Sequence, residues 1–105
     1  MLARVQVPRS AKRGEVIEIR IAIQHPMETG YRRDAMGAPV PRDIITKFTC
    51  SYGGVEVFSM DLYTGVAANP FVAFHTIATE TGDLTFTWTD QHGQSLTEVH
   101  HLDVS

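Results

Sequence analysis

The sequence holds a single cysteine, Cys50, so no internal disulfide can staple the fold, and cysteine usage leaves the redox compartment open. No apolar run reaches the about eighteen residues of a membrane-crossing helix. Positive charge is scarce. Nine basic against twelve acidic side chains give a formal net charge of −3, the wrong sign for a binder of nucleic-acid backbones. Helical spacing of apolar residues is missing throughout, as are internal repeats and low-complexity tracts. No glycine-rich phosphate loop and no GxSxG nucleophile pattern occurs. The N-terminal stretch MLARVQVPRSAKRGE has no apolar centre of signal-peptide length, so the chain is expected to carry no leader of its own.

What is present suits one small globular domain over residues 1–105. Hydrophobic residues make up 43% and charged residues 20%, ordinary values for such a domain. EVIEIRIAI sets Ile17, Ile19, Ile21 and Ile23 against Glu18, Arg20 and Ala22, the period of two of a half-buried strand. ARVQV precedes it as a shorter strand, with AKRG as a turn between them. IITKFTCSY places Phe48, Cys50 and Tyr52 on one face. Gly53–Gly54 reads as a two-residue hairpin turn into VEVFSMDL. FVAFHTIAT and LTFTWTD follow as strands, and the second alternates Leu84, Phe86 and Trp88 with threonines. SLTEVHHLDV closes the chain, and its parity slip between Val99 and Leu102 predicts a bulge. About seven strands with regular turn signals predict an all-β fold, an immunoglobulin-like antiparallel β-sandwich. The paired cysteines of antibody domains are absent, so Trp88 and Phe86 are expected to fill the core.

Five histidines and Cys50 supply ligand types for a transition metal, but their placement argues against a site. His100 and His101 are neighbours on a strand and point to opposite faces. His92 falls in a turn with Gly93, and His75 reads as a half-buried mid-strand residue. Cys50 shares an apolar face with Phe48 and Tyr52, where a free thiol acts as a small hydrophobe. Asp90 and His92 share a turn without a nucleophile beside them. No catalytic residue, metal ligand or cofactor is assigned.

The stretch IQHPMETGYRRDAMGAPVPRDII interrupts the strands. His25-Pro26 must leave the ladder, because Pro26 has no N–H to donate. Met27 and Tyr31 read as apolar anchors among Glu28, Arg32, Arg33 and Asp34, and APVPRD stiffens the return. Such a loop reads either as a crossover packed on its own fold or as an ordered surface presented to another protein.

The blocks HPMETGYRRDAMGAPVPRDIITKFTCSYGGVEVFSMDL, AANPFVAFH and FTWTDQHG, in this order, resemble the SoxZ family over about Lys12 to Val104. The family supplies the Z subunits of the SoxYZ carrier complexes of bacterial sulfur oxidation. The resemblance implies an immunoglobulin-like fold and a heterodimer with SoxY, which carries the sulfur intermediate on a cysteine in a glycine-rich C-terminal arm. This chain ends HHLDVS and has no such arm, so it is not expected to be the covalent carrier. The resemblance further implies a non-catalytic subunit in the periplasm, co-exported with SoxY, that meets other Sox enzymes through the complex. No nucleic acid and no membrane are expected as partners, and the isolated chain could pair with itself. An exposed apolar patch is expected where SoxY binds, with His25, Met27, Glu28, Tyr31, Arg33, Phe58, Met60 and Pro70 as candidate interface residues. The alternatives are a metal-dependent redox protein of superoxide-reductase type and a stand-alone immunoglobulin-like adhesion module.

Overall fold

Strand alternation drives the architecture. The computed structural model describes residues 2–105. Its strands are β1 (Leu2–Gln6), β2 (Ser10–Ala11), β3 (Val16–Gln24), β4 (Ile45–Tyr52), β5 (Val55–Asp61), β6 (Phe71–Ile77), β7 (Gly82–Asp90) and β8 (Ser95–Val104). On β3 every second residue, from Ile17 to Ile23, is buried, as the spacing predicts. β7 repeats the pattern with Leu84, Phe86 and Trp88 inside. One sheet runs β1-β3-β6, and the other β2-β8-β7-β4-β5. Together they make an immunoglobulin-like sandwich whose inner faces share one core.

Phe48 sits at the centre of that core. Its ring lies 5.0 Å from Trp88, 6.2 Å from Phe58 and Phe74, and 6.4 Å from Phe86. The first three contacts are tilted and the Phe86 contact is near-parallel, and aromatic pairs of both kinds add to the area they bury. At the lower end of the sandwich, the Tyr52 hydroxyl accepts the Thr79 and Glu80 amides and donates to the Glu80 carbonyl. That ties β4 to the β6–β7 corner. Gly53 and Gly54 both take positive φ, 58° and 83°, as a type I′ hairpin turn requires.

Three details differ from the sequence reading. Among the described residues the strands number eight, because Ser10–Ala11 pairs in parallel with Asp103–Val104 at a sheet edge. AKRG is therefore part strand, and the turn spans Lys12 to Glu15, closed by the Glu15 amide on the Lys12 carbonyl. β8 keeps an unbroken register with β7 from Ser95 to Leu102, so it has no bulge there. Val99 faces outward, and the inward places beside it go to Glu98 and His100. The irregularities lie elsewhere: Thr46 of β4 is the extra residue opposite β7, and Val57 of β5 is the extra residue opposite Cys50 and Ser51.

β5 and β6 are unpaired edges of different sheets, and they lie side by side, since Phe58 of β5 stacks on Phe74 of β6 at 4.2 Å. This side of the sandwich is open, with neither edge strand paired to another strand.

Candidate functional site

The segment between β3 and β4 leaves the sandwich as an ordered arm. At its base, Glu28 and Asp43 exchange both backbone hydrogen bonds, 2.8 and 2.9 Å. Further out, the Val40 amide donates to the Arg32 carbonyl at 2.8 Å, and the Asp34 amide to Ala38 at 2.9 Å. Asp34 Oδ1 accepts the amides of Met36 and Ala38 and so closes the tip. Gly30 has φ +90°, and a Cβ there would lie 3.2 Å from Arg42 Cβ, so the two legs approach as closely as they do only with glycine. The molecule measures 59 × 20 × 18 Å.

The arm is latched to the body through the β7–β8 turn. Gln91 Oε1 accepts from Arg42 Nε at 3.1 Å and from the Ile44 amide at 3.2 Å, while Gln91 Nε2 donates to the Arg42 carbonyl at 2.9 Å. Asp90 Oδ1 accepts the His92 and Gln94 amides and shapes that turn. On the other side, His25 and Asn69 exchange hydrogen bonds: the His25 amide donates to Asn69 Oδ1, and the Asn69 amide to the His25 carbonyl. Met27 holds φ +51°, a left-handed conformation unfavourable for a side chain of its size. Its burial explains the tolerance, because Met27 is 4% exposed and its sulfur accepts the Ile45 amide.

His25 is 5% exposed and faces the Asp43 carboxylate at 3.5 Å, with His92 at 3.8 Å from the same oxygen. His25 Nδ1 accepts the Met27 amide at 3.0 Å. The neutral ring therefore carries its proton on Nε2 and points it at Asp43. This is an acceptor-and-donor strut across the arm's base, and the lone pair that a metal would take from Nε2 is occupied. Among the described residues, no group of three His, Cys, Asp or Glu side chains is arranged to hold a metal ion. His75 lies on the outer face of the three-stranded sheet, 59% exposed and 3.5 Å from Glu18, rather than half-buried. His100 turns inward with its ring edge against Phe86, and His101 turns outward between Asp83 and Asp103. These two carboxylates raise the His101 pKa, and the Asp83 hydrogen bond is the largest cause. Cys50 is fully buried, and burial pushes its thiol up to about 12.

The eight candidate interface residues separate into three groups. His25 and Met27 are inside and hold the arm. Glu28, Tyr31 and Arg33 belong to the arm itself, and Glu28 pairs with Arg32 at 2.7 Å. Tyr31 is 85% exposed, so it is no anchor of the loop; Met27 alone fills that role. Phe58, Met60 and Pro70 are half-buried; Met60 and Pro70 line a cleft with exposed Phe71, while exposed Val55, Val57 and Ile77 line a separate depression beside Tyr52 and Glu80. The sequence reading passed over Gln91, Asp43, Asn69 and Met36. Only the tip carried a local signal, the Asp34-x-x-Gly37 turn. The Gln91 latch joins positions 49 apart and leaves none.

The sequence matches the model of the family "Sulphur oxidation protein SoxZ" over residues 5–101. No curated protein matches the chain. Among solved structures, the superoxide reductase (neelaredoxin) of Ignicoccus hospitalis is similar at TM-score 0.74 and 15% identity, over 100% of this chain and 81% of the other. The sulfur carrier protein SoxY of Chlorobium limicola f. thiosulfatophilum is similar at TM-score 0.68 and 16% identity, over 98% of this chain and 78% of the other. A CARDB domain from Pyrococcus furiosus, solved with di-metal ions, is similar at TM-score 0.58 and 12% identity, over 98% and 92%. At these identities the likenesses establish a common sandwich fold and no shared chemistry. With its model matched over nearly the whole length, the chain belongs to the SoxZ family of sulphur oxidation proteins.

Proposed function

We propose that this chain is the non-catalytic subunit of a SoxYZ carrier complex, which binds and stabilises SoxY and helps present the carried sulfur to the enzymes that oxidise it. The family match over residues 5–101 carries the reading. The geometry supports it. A swinging carrier arm needs a rigid base, and a sandwich closed by Phe48 and hooked by Tyr52 is one. The open side supplies a surface for a permanent partner. β6 reads FVAFHTI and carries none of the charges or prolines that usually blunt a free edge. Phe71 stands 64% exposed on it, next to Met60 and Pro70. Apolar surface of this kind suits an obligate interface. We place SoxY there, in the periplasm, with co-export of the pair. The bare edge also allows the isolated chain to pair with itself.

The test is coexpression with SoxY, followed by size-exclusion chromatography at micromolar concentration. A stable one-to-one complex is expected, and Phe71→Lys is expected to dissolve it. Two proteins that elute separately would remove the reading.

A further inference from the structure

We propose that the arm from Glu28 to Asp43 is the docking element that the SoxYZ complex offers to its enzymes, and that its target is an apolar cleft rimmed by carboxylates. The inference rests on the carrier-subunit reading and adds a division of surfaces: SoxY on the open edge, enzymes on the arm.

Composition and exposure point the same way. Met36 at the tip is 91% exposed and Tyr31 is 85% exposed, the two highest values among the large hydrophobic residues described as exposed. Methionine, tyrosine and arginine are the residue types enriched at protein–protein contacts. From Glu28 to Asp43 the arm carries Arg32, Arg33 and Arg42 against Glu28, Asp34 and Asp43, so it is formally neutral, and the rest of the chain holds the whole net charge of −3. Arg33 bonds only to the Gly37 carbonyl, and Arg42 only to Gln91, so neither guanidinium is neutralised by a carboxylate among the described residues. On a neutral arm projecting from an acidic body, Arg33 and Arg42 are thus left as the guanidiniums available to a partner's carboxylates. An acidic cleft attracts these two groups and repels the acidic body, which orients the encounter as well as strengthening it.

The arm is also built to dock without first being ordered. Backbone bonds run along both legs, Asp34 closes the tip, and Gln91 holds the root. A preformed contact avoids the entropy that a floppy loop loses on binding. Its size sets the kind of partner. One narrow, polar hairpin offers too little apolar area for a permanent heterodimer, but suits short-lived contacts made with several enzymes in turn. The open edge, where Met60, Pro70 and Phe71 line one cleft and Val55, Val57 and Ile77 another, has the opposite character.

The experiment uses the coexpressed complex with SoxY, in a reconstituted thiosulfate-oxidising system. Met36→Asp and Arg33→Glu alter exposed side chains and leave the core untouched, which thermal melting verifies. Both variants are expected to co-elute with SoxY as the wild type does. Each is expected to raise the concentration of complex giving half-maximal turnover by about tenfold, with the plateau rate unchanged. Arg33→Lys, which keeps the charge, is expected to recover most of the loss, and added salt to weaken the wild type towards the variants. An unchanged half-saturating concentration would overturn the inference, and so would loss of SoxY from the variants. Failure of the wild-type chain to bind SoxY at all would instead strike the subunit reading beneath it.

Discussion

Cys50 poses the sharpest question for a member of a sulphur oxidation family, because a reachable thiolate would let this chain carry sulfur itself. The structure makes it inert. Its thiol lies under the sheet between Phe58 and Phe86, its cross-strand neighbours on β5 and β7, and has no exposure. Burial raises its pKa from 9.0 to about 12. At pH 8 the thiolate fraction drops from about one in ten to about one in ten thousand, and the thiolate is the reactive form. Iodoacetamide at pH 8 is therefore expected to modify native Cys50 about a thousandfold more slowly than an exposed cysteine, and at the ordinary rate in denaturing urea. Mass spectrometry of the intact chain reads both. The same shift links to stability. The fold favours the neutral thiol, so this contribution is complete below pH 9 and is lost as pH climbs towards 12. The slope is at most about 1.4 kcal/mol per pH unit. Cys50→Ala is expected to cost about 1–2 kcal/mol at neutral pH and to flatten the alkaline decline relative to wild type. Alkylation or sulfur loading of Cys50 within minutes in the folded protein would refute the reasoning.

Three further outcomes follow from single contacts. Tyr52→Phe removes the acceptor of the Thr79 and Glu80 amides and is expected to cost about 1–3 kcal/mol, read as a lower midpoint in urea. Gln91→Ala deprives the Ile44 amide of its acceptor, so hydrogen exchange at Ile44 is expected to accelerate while amides of β3 keep their protection. His101 is expected to titrate above 6.5 by NMR, and Asp83→Asn to bring it down. The stabilisation from its charged form is present below pH 6.5 and fades as pH rises through the folded value.

The strands that were legible in the sequence are those that bury one face completely. Ile17 to Ile23 and Leu84 to Trp88 alternate because every second position meets the opposite sheet, and the same demand places Cys50 inside. Legibility fails at sheet margins. β8 lies near an edge, and its inward positions accept Glu98 and His100 beside Leu102. The alternation is therefore broken in composition while the hydrogen-bond register stays intact. β2 has two residues, too few for any period. The arm shows a different limit. Its prolines and its Asp34–Gly37 turn announce order, but what fixes it is a side-chain amide from the β7–β8 turn and a histidine ring pinned by its own backbone. The first joins positions 49 apart and has no short-range pattern; the second is local, two residues apart, but the ring's burial is set by the whole fold.

The likeness to superoxide reductases sharpens what this chain does with its polar groups. A sandwich can gather ligands only where strand ends and loops bring them together. Here the fold separates them. His75 stands on an outer face, His100 and His101 diverge across β8, and Cys50 sits under the sheet. His25 and His92 do meet, at Asp43, yet His25 spends one ring nitrogen on the Met27 amide and aims the other as a donor. The polar groups at that end of the sandwich are thus used to brace an arm: Asp43 between two histidines, Gln91 on Arg42 and Ile44, Asn69 on His25. At this end of the sandwich the polar side chains thus fix the shape of a projecting hairpin. On the proposed reading, specificity is set by which cleft fits Met36 and Arg33, and the reacting sulfur travels on another chain.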